Sequence, residues 1–556
     1  MASPFLWLLG LTTAILTPQP AQGADKIHFN YGMLEFPLSV DSLETFAKTG
    51  EIDSELGFYT QRLREKQILQ LQRILRRRIN IDPILLYRLT RSPMVVEIIQ
   101  SLGEVATTHH NGNGFYAIRG SVTNAALKQG GGVTLIDVLR EFPGENIEVD
   151  LGKLIQLQKE LTALVEYREA VRELVAKQAT QESGLSIKNT FLPQRDLRVS
   201  GGIVHKEQII EIGSRMADKN SGIRSRKPFR ARLYLPQGLS EPAPLVVMSH
   251  GFGSEPKSFD YLGEHLASYG IAAVSVEHIG SDSDYELEIL EGARKQAISP
   301  QEFIERPLDV RYVLDEIERR SQSDPQLQKI DLQRVGVIGH SLGGYTALTL
   351  AGAEINSKRL RQQCPHKKIN LNMSLLLQCR AKKLVPQQQL ADPRIKAAMA
   401  ISPISSGIHG QESLSQISIP TAIFAGSEDI IAPVVQEQVY PFTWLSAKDK
   451  YLAMLIPGDH FAGSNLPRRK PAEPTVVEEF VGRRLGGGQP YVKAFAVAFI
   501  KAHLAGDSSY FPYLTAAYAR DLSDSEVDFN VVRSLDLEAI EAEYQDVLPV
   551  ILPTLD

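Results

Sequence analysis

The chain has 556 residues, 43% hydrophobic and 22% charged, with 60 Lys and Arg against 65 Asp and Glu for a net charge of −5. This composition is that of a globular protein and excludes a disordered or fibrous one, while the slight acidity leaves no whole-chain basis for binding nucleic acid. The length exceeds one ordinary domain and predicts at least two units.

Residues 1–23 run through a short apolar stretch and a Pro-containing break to a small-x-small site, Ala21-Gln22-Gly23. The apolar part is too short to span a bilayer and reads as a signal peptide, so export to a periplasm, lumen or extracellular space is expected. The absence of Lys and Arg ahead of it favours the competing readings, a mis-assigned start or a buried amino-terminal helix.

Residues 24–180 predict a mostly α-helical domain. Helical periodicity begins near Asp41, and Ile68, Leu71, Ile74, Leu75 and Ile79 fall on one stripe. Pro83 and Pro93 open the next two helices as first-turn prolines, and helices follow over 115–129, 134–141 and 151–177. The last carries Leu154, Leu157, Leu161, Leu164, Val171 and Val175 at nearly heptad spacing and predicts a strut toward a second domain. Arg62, Arg64, Lys66, Arg73, Arg76, Arg77 and Arg78 scatter around their helix, which makes them a solvated face before a lipid-binding one. His109 and His110 read as a loop pair, and no metal site is expected.

After a polar linker at 181–195, the region 196–556 changes period. Runs at 205–213 and 229–236 alternate as antiparallel strands do, and six short apolar runs follow at 244–249, 271–276, 334–338, 395–401, 420–425 and 451–456. Helices at 259–269 and 303–320 lie between some of them. The pattern predicts an α/β-hydrolase fold: a mostly parallel eight-stranded sheet with helices on both faces.

Within it, Gly339-His340-Ser341-Leu342-Gly343 sits between an apolar run and a helix-prone one. A Gly-x-Ser-x-Gly turn from strand straight into helix strains the serine and exposes its Oγ, so Ser341 is the candidate nucleophile. His250-Gly251-Phe252-Gly253 follows the third run, where this fold supplies one oxyanion-binding N–H; the other comes from the residue after the nucleophile. Phe252 and Leu342 are the expected donors, with Gly251 or Gly253 as alternatives to Phe252. The chain order of the fold, Ser then acid then His, selects Asp429 in the loop after 425, with Glu428 as competitor, and His460 after the last run. His503 falls in an apolar helical run and reads as a packed residue.

The segment 354–392 follows the nucleophile helix and is expected to form a cap. Its centre is apolar enough to line an acyl pocket or touch a membrane surface. It holds the only cysteines, Cys364 and Cys379, which close a loop in an oxidising compartment and are two buried thiols otherwise.

Tyr31-Gly-Met-Leu-Glu-Phe-Pro-Leu-Ser-Val40, Leu43-Glu-Thr-Phe-Ala-Lys-Thr-Gly50 and Ile118-Arg-Gly-Ser-Val-Thr-Asn-Ala-Ala126 resemble the helical domain of unknown function that precedes an α/β-hydrolase domain in exported, mainly cyanobacterial proteins. Ser249-His-Gly-Phe-Gly253, Glu305-Arg-Pro-Leu-Asp-Val310, Gly339-His-Ser-Leu-Gly-Gly344, Asp429 and His460 resemble dienelactone-hydrolase-like and platelet-activating-factor-acetylhydrolase-like esterases. True dienelactone hydrolases have Cys where this chain has Ser341. The resemblance implies hydrolysis of a small-molecule or lipid ester by a Ser341, His460, Asp429 triad without a cofactor. A lipase, thioesterase or peptidase uses the same residues, and a binding or scaffold protein can keep the same fold.

Overall fold

The computed structural model describes residues 23–551 except 92, 109–111, 131, 188–194, 215–226, 295–297, 365–371, 385–388, 464–486 and 547. The expected signal peptide up to residue 22, His109 and His110, residues 188–194 of the polar linker and parts of the 354–392 segment lie outside the described residues, while the linker's first residues, 181–187, continue a helix. The chain divides into two compact units, Met1–Thr90 with Ile99–Ile155, and Arg91–Ile98 with Gln156–Asp556.

The first unit carries a small sheet beside its helices. Strands β1 (Lys26–Tyr31) and β2 (Leu34–Ser39) form an antiparallel hairpin. Short strands β3 (Ile79–Asn80), β4 (Ala106–Thr107) and β5 (Gly132–Val133) precede β6 (Asn146–Asp150). β6 lies parallel to β1 and antiparallel to β4, which gives a four-stranded sheet in the order β2-β1-β6-β4. Alternation buries Ile27, Leu38, Ile147 and Val149, the period-two signature of a half-covered sheet. The pairing of β1 with β6 joins segments more than a hundred residues apart, so six-residue runs gave no local sign of it.

The helices of this unit follow the expected periodicity. α1 (Val40–Thr49) is capped by the Ser39 side chain, which accepts from the Ser42 N–H, and ends at Gly50 in the left-handed region with φ 82°. These are a standard helix start and a standard helix stop. α2 (Ser54–Thr60), α3 (Glu65–Arg76), α4 (Pro83–Leu89), α5 (Pro93–Val105), α6 (Phe115–Gln129) and α7 (Leu135–Arg140) follow. On α3, Leu75 is buried and Ile74 is exposed.

The long helix α8 (Leu151–Ile187) runs through the division, and its residues from Gln156 on group with the second unit. Ala163, Tyr167, Val171, Val175 and Ala179, spaced by four, are buried in one cluster with Leu414, Val435, Val439 and Tyr440. This differs from the near-heptad seam read from the sequence: a helix lying on a core buries a face read at i, i+3 and i+4 spacings. Leu161 stays exposed.

The second unit is built on nine strands rather than eight. They are β7 (His205–Ile212), β8 (Phe229–Pro236), β9 (Ala243–Ser249), β10 (Ala272–Val276), β11 (Ile330–His340), β12 (Ile395–Ile401), β13 (Thr421–Gly426), β14 (Lys450–Ile456) and β15 (Asp528–Val532). The order is β15-β14-β13-β12-β11-β9-β10-β8-β7. β9 to β14 are parallel to their neighbours in that series, and β7, β8 and β15 pair antiparallel at the two edges. The ninth strand, five residues with Asp528 and Asn530 in alternation, lacks the continuous apolar run that marks the central strands.

Those central runs are apolar because both faces are covered. Val246 and Met248 pack with Leu262 and Leu266 of α9 (Asp260–Ser268) and with Phe495 and Phe499 of the helix Gln489–His503. Leu245 and Val247 face the other way, onto Val310, Val313, Leu314 and Ile317. These four lie on α11 (Glu302–Ser321), which follows the short helix α10 (Ser283–Leu290). The chain leaves β9 toward β10 on one side and returns to β11 on the other. Loops after β9 and β11 therefore part at this crossover, the position where open α/β sheets form a crevice.

Candidate active site

β11 ends at His340 and α12 (Leu342–Leu350) begins at Leu342, which leaves Ser341 as the whole turn. Its backbone lies at φ 56°, ψ −115°. Among the described residues only Ser402 is another non-glycine with positive φ. The motif glycines are needed for space: a Cβ on Gly339 would stand 1.9 Å from the Gly343 carbonyl oxygen, and one on Gly343 1.9 Å from that of Ser249. The helix is held in turn by α11. Pro307 inside α11 has no N–H for the Phe303 carbonyl one turn back, and the Tyr345 hydroxyl donates to that carbonyl at 2.6 Å.

Asp429 and His460 follow β13 and β14. Asp429 Oδ2 accepts from His460 Nδ1 at 2.8 Å and from Gln438 Nε2 at 2.8 Å. Its Oδ1 accepts from the N–H groups of Ile431 at 3.0 Å and Ala432 at 2.9 Å. An Nδ1–H that donates to the carboxylate leaves Nε2 with its lone pair, the tautomer a general base needs. Glu428 turns elsewhere: its carboxylate pairs with Arg168 on α8 at 3.3 Å. Of the two acids weighed from the sequence, Asp429 meets the imidazole.

β14 is three strands from β11, about 14 Å at the usual strand spacing. The gap is bridged by His340, whose Nε2–H donates to the His460 carbonyl oxygen at 2.8 Å. The two imidazole rings lie 5.0 Å apart. Burial, reinforced by the neighbouring His460, lowers the His340 pKa to about 3, so the ring is neutral. The loop that carries His460 is thus tied to the residue next to Ser341. Among the described residues no hydrogen bond joins Ser341 Oγ to His460; such bonds often tighten only when substrate binds.

The Leu342 N–H, at the first position of α12, and the Phe252 N–H donate to no acceptor among the described residues. The Gly253 N–H is committed to the Ser281 carbonyl oxygen at 3.0 Å, which removes one alternative to Phe252. The side chains of Phe252 and Leu342 belong to an apolar cluster with Phe303, Tyr345, Ile404 and Ala432.

The insertion contributes to the same cluster. Cys364 and Cys379 form a disulfide with Cα atoms 5.5 Å apart, linking the end of α13 (Ser357–Gln363) to that of α14 (Met373–Gln378). Leu360, Cys364, Leu377 and Ala381 pack against the residues flanking Ser341. His503, half-buried, bonds Tyr451 at 2.9 Å and packs against Phe499.

A second relay went unnoticed in the sequence. Ser249 Oγ lies 2.9 Å from His278 Nε2, and His278 Nδ1 lies 3.1 Å from Asp309 Oδ2. All three residues are wholly buried, and Ser249 is a residue of β9, so this trio ties β9 to α11. Gln438, which carried no sequence signal, and Arg306, inside the family-like run 305–310, were also passed over. Among the described residues no cluster of three or more His, Cys, Asp or Glu is placed to hold a metal ion. No described helix is long and apolar enough to cross a membrane.

Residues 23–150 match a family model described as alpha/beta hydrolase of unknown function (DUF1400). No curated protein matches the chain. The matched stretch ends before Phe252, the first of the candidate site residues, and together with the largely parallel sheet it supports a relationship to α/β-hydrolases.

Proposed function

We propose that this protein is a serine hydrolase of carboxylic esters with an apolar acyl group. The Ser341 hydroxyl gives its proton to His460 Nε2 as Oγ bonds the ester carbon. The N–H groups of Phe252 and Leu342 hold the resulting oxyanion. Collapse breaks the carbon–oxygen bond to the alcohol, which leaves with the proton from His460. A water molecule then loses its proton to His460 and attacks the acyl-enzyme, and cleavage of the Oγ–carbon bond releases the acid and restores Ser341.

The observation that carries this reading is the bond from His460 Nδ1 to Asp429 at 2.8 Å on a loop anchored beside a strained serine. The apolar walls around Phe252 and Leu342 favour an acyl chain over a charged substrate. The disulfide favours an oxidising compartment and with it export. These features also support the kinship with dienelactone-hydrolase-like and platelet-activating-factor-acetylhydrolase-like esterases.

The test is Ser341→Ala against p-nitrophenyl esters of increasing chain length, with fluorophosphonate labelling of the unaltered protein. The expected result is labelling at Ser341 and a fall in turnover on the order of 10⁶-fold in the variant. An unlabelled protein, or a variant as active as its parent, would refute the assignment.

A further inference from the structure

The loop 250–253 is gripped from behind by one buried cation. The Arg306 side chain, wholly buried on α11, donates from Nη1 to the His250 carbonyl oxygen at 2.6 Å and from Nη2 to the Gly251 carbonyl oxygen at 3.4 Å. Its Nε donates to Ser281 Oγ at 2.8 Å. His250 adds a second donor to the same carbonyl. Its Nε2 accepts from the His278 N–H at 3.2 Å, so Nδ1 carries the proton and donates to the Gly251 oxygen at 2.8 Å. Burial keeps this ring neutral by lowering its pKa well below the ordinary value.

The consequence lies in the peptide unit. The Gly251 carbonyl and the Phe252 N–H belong to one planar trans amide, in which C=O and N–H point in opposite directions. The two donors that hold this carbonyl, Arg306 Nη2 from α11 and His250 Nδ1 from the loop itself, therefore turn the Phe252 N–H away from them. On the next peptide, the Gly253 N–H is pinned to the Ser281 carbonyl at 3.0 Å, and Ser281 is the residue that Arg306 Nε also holds. A planar fork can bond two adjacent carbonyls and a hydroxyl at once; an ammonium group has no such geometry.

We propose that Arg306 is a positioning residue of the ester-hydrolysis site: by fixing the carbonyls of His250 and Gly251 it aims the Phe252 N–H at the oxyanion. The assignment rests on the esterase reading given above. It touches no substrate and acts only through the backbone of the loop, so its removal weakens the transition state and leaves ground-state binding in place.

The experiment compares the full-length protein with Arg306→Met, Arg306→Lys and Ser281→Ala. Measured quantities are kcat, KM, affinity for a trifluoromethyl ketone that forms an oxyanion on Ser341, and kcat with added methylguanidine. For Arg306→Met, kcat should fall about 100-fold, inhibitor affinity should fall by a similar factor, KM should stay within about threefold, and methylguanidine should restore part of the loss. Arg306→Lys should remain impaired despite its charge. Ser281→Ala, which removes one partner, should lose about fivefold in kcat and decides the matter if Arg306→Met does not fold. Folded variants with unchanged kcat and inhibitor affinity, or a loss confined to KM, would overturn the role of Arg306 alone. A parent protein that neither turns over esters nor reacts with fluorophosphonate would overturn the esterase reading, and this inference with it.

Discussion

His340 Nε2 donates to the carbonyl oxygen of His460 at 2.8 Å, so the residue immediately before the candidate nucleophile holds the loop that carries the candidate base. The contact spans three strand spacings of the sheet. It gives the histidine of Gly-His-Ser-Leu-Gly a task that the motif leaves open: it ties the His460 loop to the end of the strand that precedes Ser341.

Removing this tether should separate the candidate catalytic groups. His340→Ala is expected to lower kcat about 100-fold, the effect of a misplacement near 1 Å, and to cost about 1–3 kcal/mol through an unpaired buried carbonyl. His340→Gln, whose amide can donate to the same oxygen, should keep most of the activity. Ester turnover and urea unfolding of both variants check this; equal activity in His340→Ala and the parent would contradict it.

Gln438 shares Asp429 Oδ2 with His460 and also donates to the Ala432 carbonyl oxygen at 2.7 Å. Gln438→Leu should remove one of the two donors on Asp429 Oδ2 and reduce kcat about tenfold with KM little changed, as expected of orientation lost one step from the chemistry. Asp429→Asn should be far worse, about 10⁴-fold, because an amide can hold the wrong tautomer of His460. Steady-state kinetics would show the ranking, and a Gln438 variant as crippled as Asp429→Asn would argue against it.

Glu437 is wholly buried and accepts five hydrogen bonds: from Asn372 Nδ2, Gln378 Nε2 and Ser406 Oγ at Oε1, and from the N–H groups of Ser405 and Ser406 at Oε2. Asn372 caps α14 and Gln378 ends it, so the carboxylate rivets the disulfide-closed insertion to the sheet. Glu437→Gln would turn one oxygen into a donor that faces donors. We expect a loss of about 3 kcal/mol in urea unfolding and faster proteolysis within 354–392; unaltered stability would show that the rivet is dispensable.

Burial holds His265 and His409 down to about 4 and His340 to about 3. An unfolded histidine titrates near 6.5, and each unit of difference is worth on the order of 1.4 kcal/mol. The unfolded chain thus takes up protons that the native state refuses. The stabilising contribution is complete above about pH 6.5 and is lost as the pH falls toward 4. Urea midpoints at pH 7.5, 6.5, 5.5 and 4.5 should drop below neutrality, and His409→Phe should drop less steeply. A midpoint constant down to pH 5 would rule this out.

Much of the candidate site was legible in the sequence because each candidate residue stands at the end of a strand. A continuous apolar run reports a strand covered on both faces, and the residues just after it report the turn, so Ser341, Asp429, His460 and the loop 250–253 were marked by local pattern. The edge strand Asp528–Val532 and the sheet of the first unit were not, since short alternating runs acquire meaning only from a partner.

Local chemistry decided where the chain turns, which runs are buried and which side chains can react, because periodicity and turn residues act through neighbours a few positions apart. Strand order decided the rest. Arg306 meets His250, His340 meets His460, and Glu437 gathers Asn372, Gln378, Ser405 and Ser406 only once β11 has crossed back beside β9 and β12 to β14 have followed. Hydrogen bonds are made between neighbours in space, and those neighbours are set by how distant segments pack.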